Sequence, residues 1–176
     1  MFELIREDWQ NHHRTLMNRG MWVMVVYRFG NWRYSIRNRF VRVPFSAIYK
    51  FLFVVVQCLT SVELPCETKT GRGFRIEHCG DIVVSGDAVF GEDCIIRNGV
   101  TVGLKNTKER GSPVLGNRVD IGAGAKILGV ITIGDDVSIG ANAVVLQSVP
   151  ANSIAVGIPA RIIPRREPLD EETTFV

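Results

Sequence analysis

Leu115-Gly-Asn-Arg-Val-Asp, Ile121-Gly-Ala-Gly-Ala-Lys, Ile127-Leu-Gly-Val-Ile-Thr, Ile133-Gly-Asp-Asp-Val-Ser, Ile139-Gly-Ala-Asn-Ala-Val and Val145-Leu-Gln-Ser-Val-Pro follow one another without a gap. An aliphatic residue opens every block of six, and a small or β-branched one sits four places on. The same frame runs backwards through Val102, Ile96, Phe90 and Val84. After a slip of two residues it continues through Ile76, Thr70 and Leu64. A period of six suits neither an α-helix nor a simple alternating strand, whose repeats are 3.6 and 2. It suits a solenoid of short parallel strands, each block one flat side, with the chain turning a corner between blocks. The opening aliphatic and the residue four later then point inward. Gly, Asn and Asp at the second to fourth places relieve the corners, where positive φ is needed.

The bulk numbers are those of an ordinary soluble protein: 176 residues, 46% apolar, 22% charged and a net charge of +3. One domain with a real core is expected, and the charge gives no reason to expect nucleic acid. Cys58, Cys66, Cys79 and Cys94 form no CxxC pair, and no signal peptide precedes them. A reducing, cytoplasmic setting with free thiols follows.

Residues 1–60 lack the frame and read as a helical region, 61–160 as the solenoid and 161–176 as a tail. In the helical region Phe2, Ile5 and Trp9 have helical spacing, with Glu3, Arg6, Glu7 and Asp8 around them. A second helix is expected after Gly20, with Trp22, Val25, Val26 and Phe29 on one side. Pro44 reads as a helix break or first-turn residue. From Phe45 to Leu59 the chain is apolar, but the uncharged run beyond Lys50 is short of the roughly 20 residues a spanning helix needs. A buried helix is therefore expected. Arg28, Arg33, Arg37, Arg39 and Arg42 interleave with Trp32, Tyr34 and Phe40, which leaves two readings: contact with an anionic membrane surface, or a solvated face or subunit contact.

The frame departs twice. Ile76-Glu-His-Cys-Gly-Asp-Ile-Val83 is two residues too long, and about seven extra residues leave the wall between Gly103 and Leu115 as a loop containing Lys105, Asn106, Lys108, Arg110 and Ser112. Insertions in a regular scaffold are where function is mounted. His78 is the one histidine in an irregularity of the wall, since His12 and His13 fall in the polar first helix. An imidazole near its intrinsic pKa of about 6.5 takes a proton from an attacking hydroxyl, and a carboxylate fixes its tautomer. Glu63, fifteen residues earlier, lies close to one coil away. Glu77 points the opposite way if the local chain is extended. A purely structural histidine remains open on these residues alone.

These blocks resemble those of the hexapeptide-repeat acyltransferases. Ser61-Val-Glu-Leu, Thr70-Gly-Arg-Gly-Phe-Arg-Ile-Glu-His78, Gly99-Val-Thr-Val-Gly103, Ile121-Gly-Ala-Gly-Ala-Lys-Ile-Leu-Gly129 and Val156-Gly-Ile-Pro-Ala-Arg161 resemble, in order, the motifs of the serine acetyltransferase branch. The likeness runs over about residues 20 to 165 and includes Tyr27-Arg-Phe-Gly-Asn-Trp32. It implies a mainly β fold, a left-handed parallel β-helix preceded by helices, with three blocks per coil. It implies an acetyl-CoA-dependent O-acetyltransferase needing no metal, in which His78 is the general base for direct attack on the thioester. Glu63 stands where that branch has the Asp that orients the His, one methylene longer here. Gly103, Ala123 and Ala141 match positions lining the pantetheine groove between neighbouring subunits of a trimer, with Arg161 and Arg165 in reach of the phosphates.

The acceptor is where the chain leaves that pattern. Gly103-Leu-Lys-Asn106 and Gly111-Ser-Pro113 replace the family's Gly-Gly-Thr-Gly and Arg-His-Pro, and Asn11-His-His-Arg14 replaces an acidic segment that would hold an ammonium group. Each lost charged hydrogen bond removes about 1.5–3 kcal/mol from a zwitterionic amino acid. The donor site and base remain, as in the shorter relatives that acetylate a sugar or lipid-linked sugar in polysaccharide synthesis. Glu77, Lys105, Asn106 and Ser112 are the acceptor-contacting candidates. Four alternatives stand beside the saccharide: serine as acceptor, another hydroxyl or amine acceptor, a non-catalytic β-helix that scaffolds a partner through a docking tail, which in the serine branch ends in Ile where this chain ends Thr174-Phe-Val176, and a carbonic-anhydrase-like metal prism, which needs about three wall histidines where one is found.

Overall fold

An inward aliphatic every six residues, with turns between, folds the chain into a three-sided prism. A computed structural model describes residues 1–12, 14–15, 17–106, 108 and 111–165. His13, Arg110, Arg166, the acidic run from Glu167 and Thr174-Phe-Val176 lie outside the described residues. Fifteen strands, β1 to β15 in chain order, are described. The first face holds β1 (Val62–Glu63), β4 (Ile82–Val84), β7 (Thr101–Gly103), β10 (Lys126–Leu128) and β13 (Val144–Val145). The second holds β2 (Lys69–Thr70), β5 (Val89–Phe90), β8 (Val114–Leu115) and β11 (Thr132–Ile133). The third holds β3 (Arg75–Ile76), β6 (Ile95–Ile96), β9 (Asp120–Ile121), β12 (Ser138–Ile139), β14 (Ser153–Val156) and β15 (Arg161–Pro164). Neighbours are parallel except β15, which folds back antiparallel on β14 over the end of the stack. The fold is a left-handed parallel β-helix behind an α-helical region.

Register shows where the frame is broken. Val83 pairs with Thr101 and Lys126 with Val144, eighteen residues per coil. Val62 pairs with Ile82, twenty residues on, and Thr101 with Lys126, twenty-five on. The extra residues leave at the turn 77–81 and the segment 104–113, as the sequence predicts. Ile76, Val84, Phe90, Ile96, Val102, Leu115, Ile121, Ile127, Ile133, Ile139 and Val145 are all buried, as are Ala88, Cys94, Val100, Val119, Ala125, Val137, Ala143 and Val149. Full burial of each large aliphatic contributes about 1.5–3 kcal/mol. Turns into the third face place Gly73, Asp93, Arg118, Asp136 and Asn152 at positive φ, and turns into the first face do so with Gly99, Gly124 and Asn142. The corner chemistry is the expected one, with Arg118 as the exception in kind.

The helical region departs further from expectation. α1 spans Phe2–Asn11, α2 Arg19–Arg33 and α3 Arg39–Thr60. α2 buries Met21, Val23, Met24, Val26, Tyr27 and Gly30, and leaves Trp22 and Val25 exposed, correcting the expected face. The run Met21 to Val26 is apolar all round, so periodicity cannot choose a side. The Tyr27 hydroxyl donates to Thr68 O at 2.7 Å and accepts from Thr70 N–H at 3.2 Å, which ties α2 to the first coil and leaves Thr70 half-buried. A Cβ at Gly30 would lie 2.5 Å from the Tyr49 ring and 2.6 Å from Cys66 Cβ, so glycine is what lets α2 and α3 cross there. Pro44 neither breaks nor begins a helix: it lies inside α3, where its missing N–H costs the bond to Phe40. Nor is α3 buried; only Tyr49, Val56 and Thr60 are. By length and composition it is apolar enough to cross a membrane.

Asp8, one of the charged residues around the apolar positions of α1, is 1% exposed and paired with Arg28 at 2.9 Å. Asp8→Ala should leave Arg28 buried without a counter-charge and lower unfolding stability by about 3–5 kcal/mol, read from urea titration of the purified protein. A loss under about 1 kcal/mol would show that the pair does not hold α1 on α2.

Candidate functional site

The turn 77–81 is shaped from both sides of the chain. His12, expected among polar residues, is fully buried at the end of α1. Its Nδ1 donates to Asp8 O at 2.7 Å and its Nε2 accepts from Ile76 N–H at 3.2 Å, so the ring carries its proton on Nδ1. A Cβ at Gly20 would stand 2.5 Å from Ile76 O, so only glycine brings the start of α2 this close to β3. Asn18 caps α2, accepting from Gly20 N–H at 2.9 Å, and Arg19 follows it. The end of β3 and the start of α2 are thereby held together two residues before His78.

His78 is exposed, with φ 56°, and Gly80 and Asp81 are also at positive φ. The chain is not extended here. Glu77 and His78, expected to point opposite ways, line one cavity of about 430 Å³ with Asn18, Arg19 and Cys79. The Glu77 carboxylate is held by Arg75 and Arg97, each at 3.2 Å, and Arg97 also pairs with Asp120. Burial pushes the Cys79 thiol up from its ordinary value against the opposing pull of Arg19, so the thiol is uncharged. Among the described residues no carboxylate pairs with Arg19.

Glu63 lines other cavities than the one His78 borders. It accepts from Gln57 Nε2 of α3 at 3.3 Å and lines a cavity of about 450 Å³ with Gln57, Cys58, Ser61 and Asp81. It also borders a cavity of about 250 Å³ on the first face with Ser85, Gly86, Gly103 and Leu128. Within one chain, therefore, Glu63 joins Gly103, while His78 joins Glu77. A Cβ at Gly103 would meet Ser85 Cβ at 3.5 Å, an ordinary contact. The wall itself tolerates a side chain there; lacking one keeps the cavity open.

Ala123 and Ala141 stack one coil apart on the edge entering the first face, where Asn142 N–H donates to Ala123 O at 2.8 Å. His78 occupies the corresponding turn of the first coil. Arg161 is exposed on β15, and Arg165 donates to Ser138 Oγ at 2.6 Å on the third face. Lys105 and Asn106 are exposed in the loop, and Asn106 Oδ1 accepts from Lys108 N–H at 2.9 Å. Ser112 is buried and donates to Ser85 Oγ at 2.8 Å, so in the single chain it ties the loop to the wall rather than facing an acceptor. Asn18, Arg19, Gln57 and Cys79 were not among the expected site residues. Asn-Arg before Gly20 is a readable helix start, but nothing in the sequence brings it to a turn some sixty residues later.

Residues 112–147 match the bacterial transferase hexapeptide (six repeats) family. The chain is similar to the serine acetyltransferase of Helicobacter pylori, 39% identical over 149 residues that cover 84% of this chain and 83% of that protein. It is also similar to the putative colanic acid biosynthesis acetyltransferase WcaB of Escherichia coli, 36% identical over 145 residues, 80% of this chain and 88% of that one. Among solved structures, the Brucella abortus serine acetyltransferase in complex with coenzyme A superposes with a TM-score of 0.80 at 28% identity, covering 94% of this chain and 68% of that chain.

The two described histidines differ fully in access, which chemical modification reads directly. Diethyl pyrocarbonate should modify His78 rapidly in the native protein and His12 only on unfolding, as followed by peptide mass spectrometry. Comparable rates at the two positions would contradict the clamp of His12 on Ile76.

Proposed function

The chain belongs to the hexapeptide-repeat acetyltransferases of the serine acetyltransferase type, and from that premise we propose that it acetylates a saccharide hydroxyl, using acetyl-CoA as donor. The observation that carries this reading is the chemistry around His78. Its cavity holds a cation, a carboxylate already met by two arginines and an uncharged thiol, with no spare carboxylate for the ammonium group of free serine. Similarity to the colanic acid enzyme supports a saccharide acceptor. The serine reading has the many relatives of that name on its side, and a free serine acceptor is the alternative.

In the proposed reaction His78 takes the proton of the acceptor hydroxyl as its oxygen attacks the thioester carbonyl, and returns it to the thiolate released when the C–S bond breaks. Acetyl-CoA supplies the acetyl thioester. The floor of the first-face cavity at Gly103, free of a side chain, and the small residues Ala123 and Ala141 fit a thin pantetheine chain lying along the wall. Gly103 and the two alanines lie at opposite margins of that face, which suits a groove completed by a neighbouring prism in a homotrimer. Glu63 is assigned to orienting His78 through Oε1, since Gln57 occupies only its Oε2. Arg161 is exposed for the phosphates, and Arg165 would have to leave Ser138 to join it.

The same reading puts a cytoplasmic enzyme against the inner face of a membrane, where a lipid-linked sugar would be presented. On α3, Phe40, Val43, Ala47, Phe51 and Val54 form an exposed stripe at helical spacing, flanked by exposed Arg37, Arg39 and Lys50. The opposite side is fastened to protein. Arg33 Nη1 donates to Ser46 at 2.9 Å, and the Tyr49 hydroxyl accepts from Cys66 N–H at 3.1 Å. A helix so held lies on a bilayer rather than across it.

His78→Asn, which tolerates the left-handed backbone, should keep the fold and lose at least about a hundredfold in kcat with any accepted sugar. Serine turnover at about 1 per second or faster would reject the saccharide assignment. For the membrane contact, the protein should float with phosphatidylglycerol vesicles and not with phosphatidylcholine alone, and Phe51→Glu should abolish flotation. Retention of binding by that variant would place the contact elsewhere.

A further inference from the structure

We propose that Arg19 is the receptor for an anionic group on the acceptor, so that the acetylated saccharide is an acidic one, carrying a carboxylate or phosphate ester close to the reacting hydroxyl. This rests on the saccharide reading and narrows it.

Arg19 stands apart from the cations around it. Arg28 is paired with Asp8, Arg72 with Glu7, Arg75 with Glu77, and Arg97 with both Glu77 and Asp120. Arg19 is exposed at the mouth of the His78 cavity with no carboxylate on it among the described residues. Its backbone is nonetheless fixed relative to His78, because Gly20 lies against Ile76 O and Asn18 caps the helix. The guanidinium is thus a tethered charge beside the proposed base.

Glu77 is paired with Arg75 and Arg97, one on each carboxylate oxygen, and makes no ion pair with Arg19. The remaining members of the lining, Asn18, His78 and Cys79, carry no negative charge, so the cavity has an unmet positive one. Its volume of about 430 Å³ lies in the range of small-molecule sites, about 300–1,000 Å³, and leaves room for a sugar ring. A guanidinium offers paired N–H donors that match a carboxylate or a phosphate edge-on, which a neutral hydroxyl does not exploit. A uronic acid residue and a sugar phosphate share this chemistry.

The test compares wild type, Arg19→Ala and Arg19→Lys in two assays. One is calorimetric binding of glucuronate, glucose 1-phosphate and glucose. The other is kcat/KM on a neutral oligosaccharide and on its glucuronate-bearing and phosphorylated counterparts. Wild type should favour one of the acidic ligands over the neutral one by about tenfold or more, and which one is favoured separates carboxylate from phosphate. Arg19→Ala should bring that ratio close to one, through KM rather than kcat. Arg19→Lys should restore part of it. Equal wild-type binding of all three monosaccharides, or an alanine variant that lowers acidic and neutral acceptors in proportion, would overturn the assignment of Arg19 alone. Turnover of serine with no turnover of any sugar would overturn the saccharide reading itself, whatever the arginine variants do.

Discussion

One inward side chain per six residues, laddered to its copy a coil above, is the constraint on which the rest depends. The backbone hydrogen bonds that join Val83 to Thr101 and Lys126 to Val144 leave no slack along a face. A single inserted residue inside a strand would turn the buried row outward from that point on. Extra residues can leave only at corners, and both insertions do: at 77–81 and at 104–113. The candidate chemistry lies at the first and the loop at the second because the wall admits irregularity nowhere else.

This is also why the inward rows of the solenoid were legible and the packing of the helices was not. Ile127 and Ile133 announce their burial by spacing alone, and the lengths of both insertions follow from counting between Ile76 and Val84 and between Val102 and Leu115. In the helical region the deciding contacts are distant. Met21 and Met24 are inside and Trp22 is outside because Tyr27 reaches Thr68 on the first coil, a fact no local pattern in an all-apolar run encodes. His12 reads as a surface residue until Ile76 N–H is placed on its ring. Pro44 reads as a boundary because its helix is long enough to absorb one lost bond near its start.

The site divides along the same line. His78 could be found as the histidine in a broken repeat, and Gly103, Ala123 and Ala141 by motif, since all are features of the coil. The direction of Glu77 could not, because it turns on the left-handed backbone at His78. Ser112 reads as an acceptor contact from its place in a loop, and its hydroxyl is bonded to Ser85 on the neighbouring coil. Arg19 is not legible for the same reason as His12: His12 bonds Ile76 N–H, and Gly20, next to Arg19, lies against Ile76 O, so both residues reach the site from a segment that folds back onto β3.

A division of labour follows from these placements. The proposed donor side is built from small residues of the repeat, Ala123 and Ala141 at equivalent corners and Gly103 at the opposite margin of the first face. The proposed acceptor side is built where the repeat fails and where α2 is held against β3 by a glycine and a buried histidine. Change there alters what adjoins His78 without disturbing a single inward side chain of the prism. Asn11-His12 ahead of Gly20, and an Arg19 with no carboxylate on it among the described residues, are features of that kind. On the proposed reading, the charge of the acceptor is set by the electrostatics of the helix–coil contact rather than by the shape of the prism.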